Sequence, residues 1–381
     1  MKLGTRLANL VISDIRSMSL ACEAVGGINL GQGICDLPTP PTVAHAAIDA
    51  IQKNRVVYTA PNGILPLRKA IAEKIERWYG LTYDPASEVV VTSGATGGFA
   101  AACLALFDPG DEIILFEPYY GYHLNTVLSF GLKPVLVATK PPTWEVDPAA
   151  LRAAITPKTR AILVCTPANP SGKVWSEAEL DLVASLCEEH DLIAITDEIY
   201  EHMVYDGKKH IPLCTRAKAK DRTVSLSGFS KTFAVTGWRL GYLTAPPEIA
   251  RRITITHDLL YVCAPTPLQH AMVAALEMPL AYYHQLEASY LRKRTILCDA
   301  LQDAGLTPYV PAGAYYVLAD IQKIGAPNAK AAAMTILERA RIASVPGTSF
   351  YANPVGETLV RFCYAKEEDV LEEAARRLRA L

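Results

Sequence analysis

No part of this chain holds about twenty apolar residues in a row, so no membrane span is expected. Blocks of one charge sign are also missing. Lys and Arg total 37 against 39 Asp and Glu, a formal net charge of -2. That leaves no electrostatic footprint for nucleic acid or for an anionic membrane surface. The nine cysteines are scattered, with no Cys-x-x-Cys pair. An odd, unclustered set reads as reduced core thiols of a cytoplasmic protein, not as a disulfide framework or a zinc site. The opening stretch, MKLGTRLANLVISDIRSMSL, lacks the apolar block and cleavage site of a signal peptide. Several catalytic signatures are absent too. No G-x-G-x-x-G follows a strand, and Gly172-Lys173 is followed by Val174, which leaves a Walker A motif incomplete. There is no His-Glu-x-x-His and no Gly-x-Ser-x-Gly. The eight histidines are dispersed, so no metal site is expected. His123, beside a run of tyrosines, is the one to watch.

What is present is an alternation of short apolar runs and helical stretches. The runs are Val89–Thr92, Glu112–Phe116, Pro134–Ala138, Ala161–Cys165, Leu192–Thr196, Thr223–Leu226 and Gly241–Thr244. Short continuous apolar runs are what strands buried on both faces look like. With helices between them they predict an α/β fold built on a large, doubly wound, mostly parallel sheet. Residues 1–40 begin irregularly and reach a Gly/Pro-rich loop at Gly31-Gln-Gly33. Val43, Ala47, Ile48 and Ile51 recur at helical spacing, and a second helix is expected from Pro66 to Tyr79, ended by Gly80. After Met278 the pattern changes to long charge-rich helices, predicting a second, smaller α+β domain. The expected division is a large domain over 41–280 and a small one over 281–381, joined by the N-terminal segment 1–40.

The stretch that concentrates chemistry is Ser225 to Tyr242, SLSGFSKTFAVTGWRLGY. Lys231 sits among small residues that leave room for a planar group. Apolar residues then shield it, and a desolvated lysine can act as an amine nucleophile and form a Schiff base. Arg239, eight residues on, offers a planar fork to a phosphate. A second phosphate signal is Ser93-Gly94-Ala95-Thr96-Gly97-Gly98 at the start of a helix, where free N–H groups favour an anion. Asp197 ends a strand, which aims it at the crevice where α/β proteins bind ligands. Each feature alone has a bland reading as a surface lysine, a glycine-rich helix start or a helix cap.

Together, Ser227-x-x-Ser230-Lys231-Thr-Phe and Thr-Gly-Trp-Arg239-Leu-Gly resemble the cofactor-lysine signature of the class I/II aminotransferases. These are pyridoxal 5'-phosphate (PLP) enzymes with the aspartate-aminotransferase-like, type I fold. Other motifs of that family occur in order from about Asn29 to Tyr364. The resemblance implies that Lys231 carries PLP and moves the substrate proton. It implies that Asp197 keeps the pyridine nitrogen protonated and that Tyr200 and Asn169 bond the ring hydroxyl oxygen. Tyr120 stacks on the ring, with Tyr119 and Tyr122 as packing. Gly94, Ala95, Thr96, Arg239 and Ser227 or Ser230 hold the phosphate. Tyr58 reaches the phosphate of the neighbouring subunit, which makes the enzyme a homodimer. Gly33 and Arg361 receive the substrate, Arg361 by a two-pronged bond to its α-carboxylate, and Asn169 contacts it as well.

The implied function is transfer of an amino group between an L-amino acid and a 2-oxo acid. Relatives that act on aspartate place a lysine after the glycines of the phosphate loop; here Thr96, Gly97 and Gly98 stand there. A neutral amino acid (aromatic, Met or Gln) is therefore expected, with Tyr315, Tyr316, Phe350 and Tyr351 as candidate walls. Arg16 and Lys293 are the alternative cations for an aspartate enzyme. A carbon–sulfur β-lyase on the same fold would share Lys231, Asp197 and Arg361. A non-catalytic PLP-fold sensor would need a DNA-binding module, and the first 40 residues are too short and uncharged for one.

Overall fold

The computed structural model describes residues 14–381. Residues 1–13 of the expected N-terminal segment lie outside that range. The described chain begins with α1 (Asp14–Ala24), where an irregular start is expected from the sequence. The helical signal there is faint because only Met18 and Cys22, one turn apart, are buried. β1 (Ile28–Asn29) follows, then α2 (Pro41–Gln52) and α3 (Leu65–Tyr79). α3 has Pro66 in its first turn and ends on Gly80 at φ 68°. That positive φ is why glycine ends the helix.

The seven expected strands all form, and they build one sheet. They are β2 (Val89–Thr92), β3 (Glu112–Glu117), β4 (Lys133–Ala138), β5 (Thr159–Cys165), β6 (Ile193–Asp197), β7 (Thr223–Gly228) and β8 (Gly241–Thr244). Their spatial order is β2-β8-β7-β6-β5-β3-β4. Only β8 runs antiparallel to its neighbours, β2 and β7. Helices α4 (Gly94–Leu106), α5 (Gly121–Ser129), α6 (Pro148–Ala153) and α7 (Glu177–Glu189) fall between the strands. α7 starts on a reciprocal cap in which Ser176 and Glu179 each bond the other's backbone N–H.

Beyond β8 come α8 (Pro247–Tyr261), α9 (Thr266–Leu276) and the 24-residue α10 (Leu280–Asp303). A second, antiparallel sheet then forms from β9 (Thr307–Tyr309), β10 (Tyr316–Asp320), β12 (Val345–Pro346) and β13 (Leu359–Cys363). β11 (Ile342–Ala343) instead pairs in parallel with β1, so the N-terminal strand docks beside the C-terminal part of the chain. Helices α11 (Ala329–Ala340) and α12 (Glu368–Leu378) complete this smaller α+β layer. α10 serves both parts: Tyr283 packs in a core beside the large sheet, and Tyr290, Leu297 and Leu301 pack in the core of the second.

One expected core face is turned. On α2, Val43, Ala47 and Ala50 point inward, while Ile48 and Ile51 are exposed. Small alanines let α2 lie close against α9, and the larger isoleucines go outward. Among the described residues, no helix is long and apolar enough to cross a membrane.

Candidate active site

The strand ends of the parallel sheet face a cavity of about 410 Å³. Such crevices at the carboxyl ends of strands are where α/β sheets bind ligands. Gly33, Ala95, Thr96, Tyr120, Asn169, Asp197, Tyr200, Ser230, Lys231, Arg239 and Arg361 all line it. Among the described residues its charged side chains are Lys231, Arg239 and Arg361 against Asp197. Three cations facing one carboxylate suit a ligand set rich in negative charge.

Lys231 follows β7. Its Nζ donates to the Gly33 carbonyl at 3.3 Å and lies 5.5 Å from the centre of the Tyr315 ring. Burial pushes its pKa below the ordinary lysine value, although Cys363, Cys35 and Asp197 pull the other way. The Gly33 carbonyl also accepts from the Tyr315 hydroxyl at 3.0 Å. Any side chain on Gly33 would strike the Tyr316 hydroxyl, 1.8 Å from where its Cβ would stand.

Asp197 ends β6. His123 Nε2 donates to its Oδ2 at 3.0 Å, and the Ile199 N–H reaches Oδ1 at 3.3 Å. His123, noted in the sequence only for its neighbours, is thus the direct support of that carboxylate. Its ring stands edge-on to Tyr120, centres 5.2 Å apart. Tyr200 is buried, which raises its pKa well above the ordinary tyrosine value and keeps it protonated. Its hydroxyl donates to that of Tyr316 at 3.2 Å.

At the opposite wall Arg361, on β13, is sandwiched between Tyr316 and Phe350, its guanidinium carbon 4.3 and 4.6 Å from the two ring centres. Nη1 donates to Asn169 Oδ1 at 2.9 Å and Nη2 to the Gly31 carbonyl at 2.6 Å. The first bond fixes the Asn169 amide with its oxygen toward Arg361, leaving its NH2 as a donor. Arg361 Nε is buried without a partner. An orphaned guanidinium donor in a closed wall calls for an acceptor brought by a ligand.

The anion cradle lies at the start of α4. Gly94 sits at φ 74°, and a Cβ there would come within 2.7 Å of Arg239 Nη2. The Arg239 guanidinium therefore lies directly over the helix start, beside Ala95, Thr96 and Ser230 on the cavity wall. Free helix N–H groups, a guanidinium and a hydroxyl make a donor set that fits a phosphate.

Three expectations need correcting. Ser227 does not face the cavity: its hydroxyl, still on β7, donates to Glu201 Oε1 at 2.8 Å, while Ser230, past the end of that strand, lines the cavity. Tyr122 is not packing but lines the cavity, 54% exposed, stacked on Tyr120. Of the four expected walls only Tyr316 lines the cavity; Tyr315 and Phe350 do not, and the Tyr351 hydroxyl accepts from Trp144 Nε1 at 2.9 Å in a separate core that also holds Phe350. Tyr58 stands 81% exposed and does not line this chain's cavity. Neither Arg16 nor Lys293 lines it. Residues that the sequence did not single out, Ile15, Gln32, Ile34, Cys165 and Thr236, do.

The family profile described as aminotransferase class I and II matches residues 25–378. A curated relative, the probable N-succinyldiaminopimelate aminotransferase DapC of Mycobacterium tuberculosis, is 34% identical, covering 99% of this chain and 98% of the relative. The solved structure of the N-succinyldiaminopimelate aminotransferase from that organism superposes with a TM-score of 0.96 at 35% identity, over 99% of each chain. The methionine aminotransferase of Escherichia coli is 32% identical over 99% of this chain and 98% of its own. The aspartate aminotransferase of Thermus thermophilus, solved with maleate, has a TM-score of 0.92 at 34% identity, covering 100% of this chain and 99% of that one. A match of this extent, on a cavity that gathers a desolvated lysine, a strand-end aspartate and two arginines, settles the family: this chain belongs to the class I and II aminotransferases and is a transaminase, moving amino groups between amino acids and oxo acids.

Proposed function

We propose that the cavity holds PLP and that the enzyme prefers a neutral amino acid over aspartate as donor. The observation that carries the cofactor reading is the placement of Lys231, Asp197 and the Arg239–Gly94 cradle on one cavity. When bound, PLP supplies an electron sink for the charge left on the substrate α-carbon as its proton departs. Lys231 would link to the cofactor at rest and, once displaced by the substrate amine, carry the α-proton as general base and then general acid. Asp197, steadied by His123, would keep the ring nitrogen protonated. Asn169 and Tyr200 would bond the ring oxygen. Ala95, Thr96, Ser230 and Arg239 would hold the phosphate. Arg361 would take the substrate carboxylate with the donors left over from Asn169 and Gly31.

Among the described residues, that assignment uses every cation on the cavity. The rest of the described lining, which includes Ile15, Ile34, Tyr122, Gln32 and Thr236, offers a second carboxylate, as in aspartate, no cation. Leaving a carboxylate unpaired in a closed site costs several kcal/mol. With one common oxo-acid acceptor, kcat/KM is expected to be higher for methionine, glutamine, phenylalanine, tyrosine or kynurenine than for aspartate, by about 10²-fold. Competition kinetics measures this directly, and a win for aspartate would mean a cation reaches the site from elsewhere. The lyase alternative predicts pyruvate and ammonia from cysteine conjugates without any oxo acid.

The working unit is proposed to be a homodimer. Val56, Val57 and Tyr58 are exposed, as are Ile48 and Ile51 on α2 and Ile255, Leu259 and Val262 at the end of α8. The two stretches are neighbours, since Thr266 at the start of α9 donates to the Val57 carbonyl at 2.7 Å. An apolar surface of this breadth is typical of a covered interface, and Tyr58 within it would reach the partner's phosphate. Sedimentation should show a dimer at assay concentration, and Tyr58→Phe should weaken PLP binding by about threefold to tenfold. A fully active monomer would contradict both statements. The division into residues 41–280 and 281–381 with 1–40 is supported by the β1–β11 pairing.

A further inference from the structure

One buried carboxylate outside the cavity gathers four donors. Glu201 lies one residue past Tyr200 and is 7% exposed. Its Oε2 accepts from Lys74 Nζ and the Tyr79 hydroxyl. Its Oε1 accepts from Ser227 Oγ at 2.8 Å and from the Tyr242 hydroxyl at 3.3 Å. Lys74 Nζ also donates to the Tyr242 hydroxyl at 3.2 Å, which closes the cluster on itself. None of these five residues lines the cavity. The turn is anchored a second time by Glu198, whose carboxylate accepts from Thr196 Oγ1 at 2.8 Å and meets His210 Nε2 at 2.9 Å.

The donors come from three directions. Lys74 and Tyr79 are on α3, Ser227 on β7 and Tyr242 on β8. The segments tied together are the ones that deliver the cavity's groups. Glu201 lies in the turn that follows Asp197 and holds Tyr200. Ser227 lies four residues before Lys231, and Tyr242 three residues after Arg239. A bland reading is that the cluster only stabilises the fold. Yet replacing a buried ion pair by apolar residues of like volume is often neutral or stabilising, so such a pair is weak as a stability device. Directional bonds to three segments do, however, fix how those segments sit relative to one another.

We propose that Glu201 is a positioning residue: its carboxylate, held by Lys74, Tyr79, Ser227 and Tyr242, sets the mutual placement of Asp197, Tyr200, Lys231 and Arg239. This rests on the reading of the cavity as a PLP site. It acts through other residues and touches neither cofactor nor substrate. Its effect falls on groups whose alignment governs proton transfer, where a displacement on the order of 1 Å costs about 10²-fold. Arg361 and Asn169 stand on other elements, so capture of the substrate carboxylate is left alone.

The test is the double variant Lys74→Met/Glu201→Met in the holoenzyme, which removes both charges and strands neither. Its melting temperature is expected to fall, since the Tyr79, Ser227 and Tyr242 hydroxyls lose their shared acceptor, so kcat is read at a temperature where the variant is folded. Its kcat is expected to fall by roughly 10- to 100-fold, with KM for the amino acid changed by no more than about threefold. Its dissociation constant for PLP, measured by reconstituting the apoenzyme and following cofactor absorbance, is expected to rise by about tenfold. If the double variant does not fold, Tyr79→Phe and Ser227→Ala, each deleting one donor and no charge, carry the test. Each should lower kcat by about threefold at unchanged KM. Wild-type kcat and PLP affinity in a folded double variant, or in both single-donor variants, overturns the proposal, even where the melting temperature is lowered. Failure of the wild-type protein to bind PLP overturns the cofactor reading instead, so the two failures are told apart.

Discussion

Lys231→Ala is expected to keep PLP in the cavity but lose transamination by several orders of magnitude. On the proposed reading, two functions leave with the side chain. One is the covalent tether, and the other is the group that moves the α-proton. The surroundings of this lysine suit both proposed roles. Its Nζ faces the cavity beside the Gly33 carbonyl and over the Tyr315 ring, and burial lowers its pKa, so more of it is neutral amine near pH 7. The neutral amine is both the nucleophile and the base. Other holding groups survive the change: the α4 start, Arg239, Ser230, Asp197 and Asn169. The variant should therefore bind PLP in equilibrium dialysis. Treatment with borohydride should fix the cofactor to the wild-type chain and leave the variant unlabelled. Turnover within about tenfold of wild type would mean that another group carries the proton, since general acid–base catalysis alone contributes about 10²- to 10⁴-fold.

Much of this site was legible because local sequence and tertiary position agree at its key points. Lys231, Arg239, Asp197 and the Gly94–Thr96 helix start all lie within a few residues of a strand end, and the strands are continuous apolar runs. What the sequence hid was settled by contacts between distant segments. Which of Ser227 and Ser230 faces the cavity depends on Glu201, which draws the Ser227 hydroxyl away. Lys74 lies 127 residues from Glu201, and nothing near either of them signals the pair. Ile48 and Ile51 looked like core because helical spacing gives the face but not what covers it. Tyr122 looked like packing because Tyr119, Tyr120 and Tyr122 are alike in sequence, and only the turn into α5 separates them. α1 was invisible because two buried side chains make too weak a pattern. Ile15 on that helix reaches the cavity, so part of the substrate wall comes from the least legible stretch described.

The second large effect is expected at Asp197. Asp197→Asn keeps the size of the side chain and an oxygen for the Ile199 N–H, which now reaches Oδ1 at 3.3 Å. It removes the negative charge. It also sets an amide NH2 against His123 Nε2, which donates to Oδ2 across 3.0 Å in the native chain. The imidazole can answer by moving its proton to Nδ1, since a neutral ring carries one donor and one acceptor. The geometry is then preserved and only the charge is lost. A pyridine nitrogen that meets a neutral amide is no longer held protonated, so the electron sink weakens while binding does not. Turnover should fall by several orders of magnitude, with KM for the amino acid changed little, because Arg361 and Asn169 are untouched. His123→Asn, which leaves the carboxylate in place but unsteadied, should cost only about tenfold. Reconstitution with a cofactor methylated on its ring nitrogen separates charge from position. That nitrogen is positive without any help, so the native excess of wild type over Asp197→Asn should shrink markedly. If the gap stays as wide, Asp197 works by holding the ring in place, and its bond to His123 matters more than its charge.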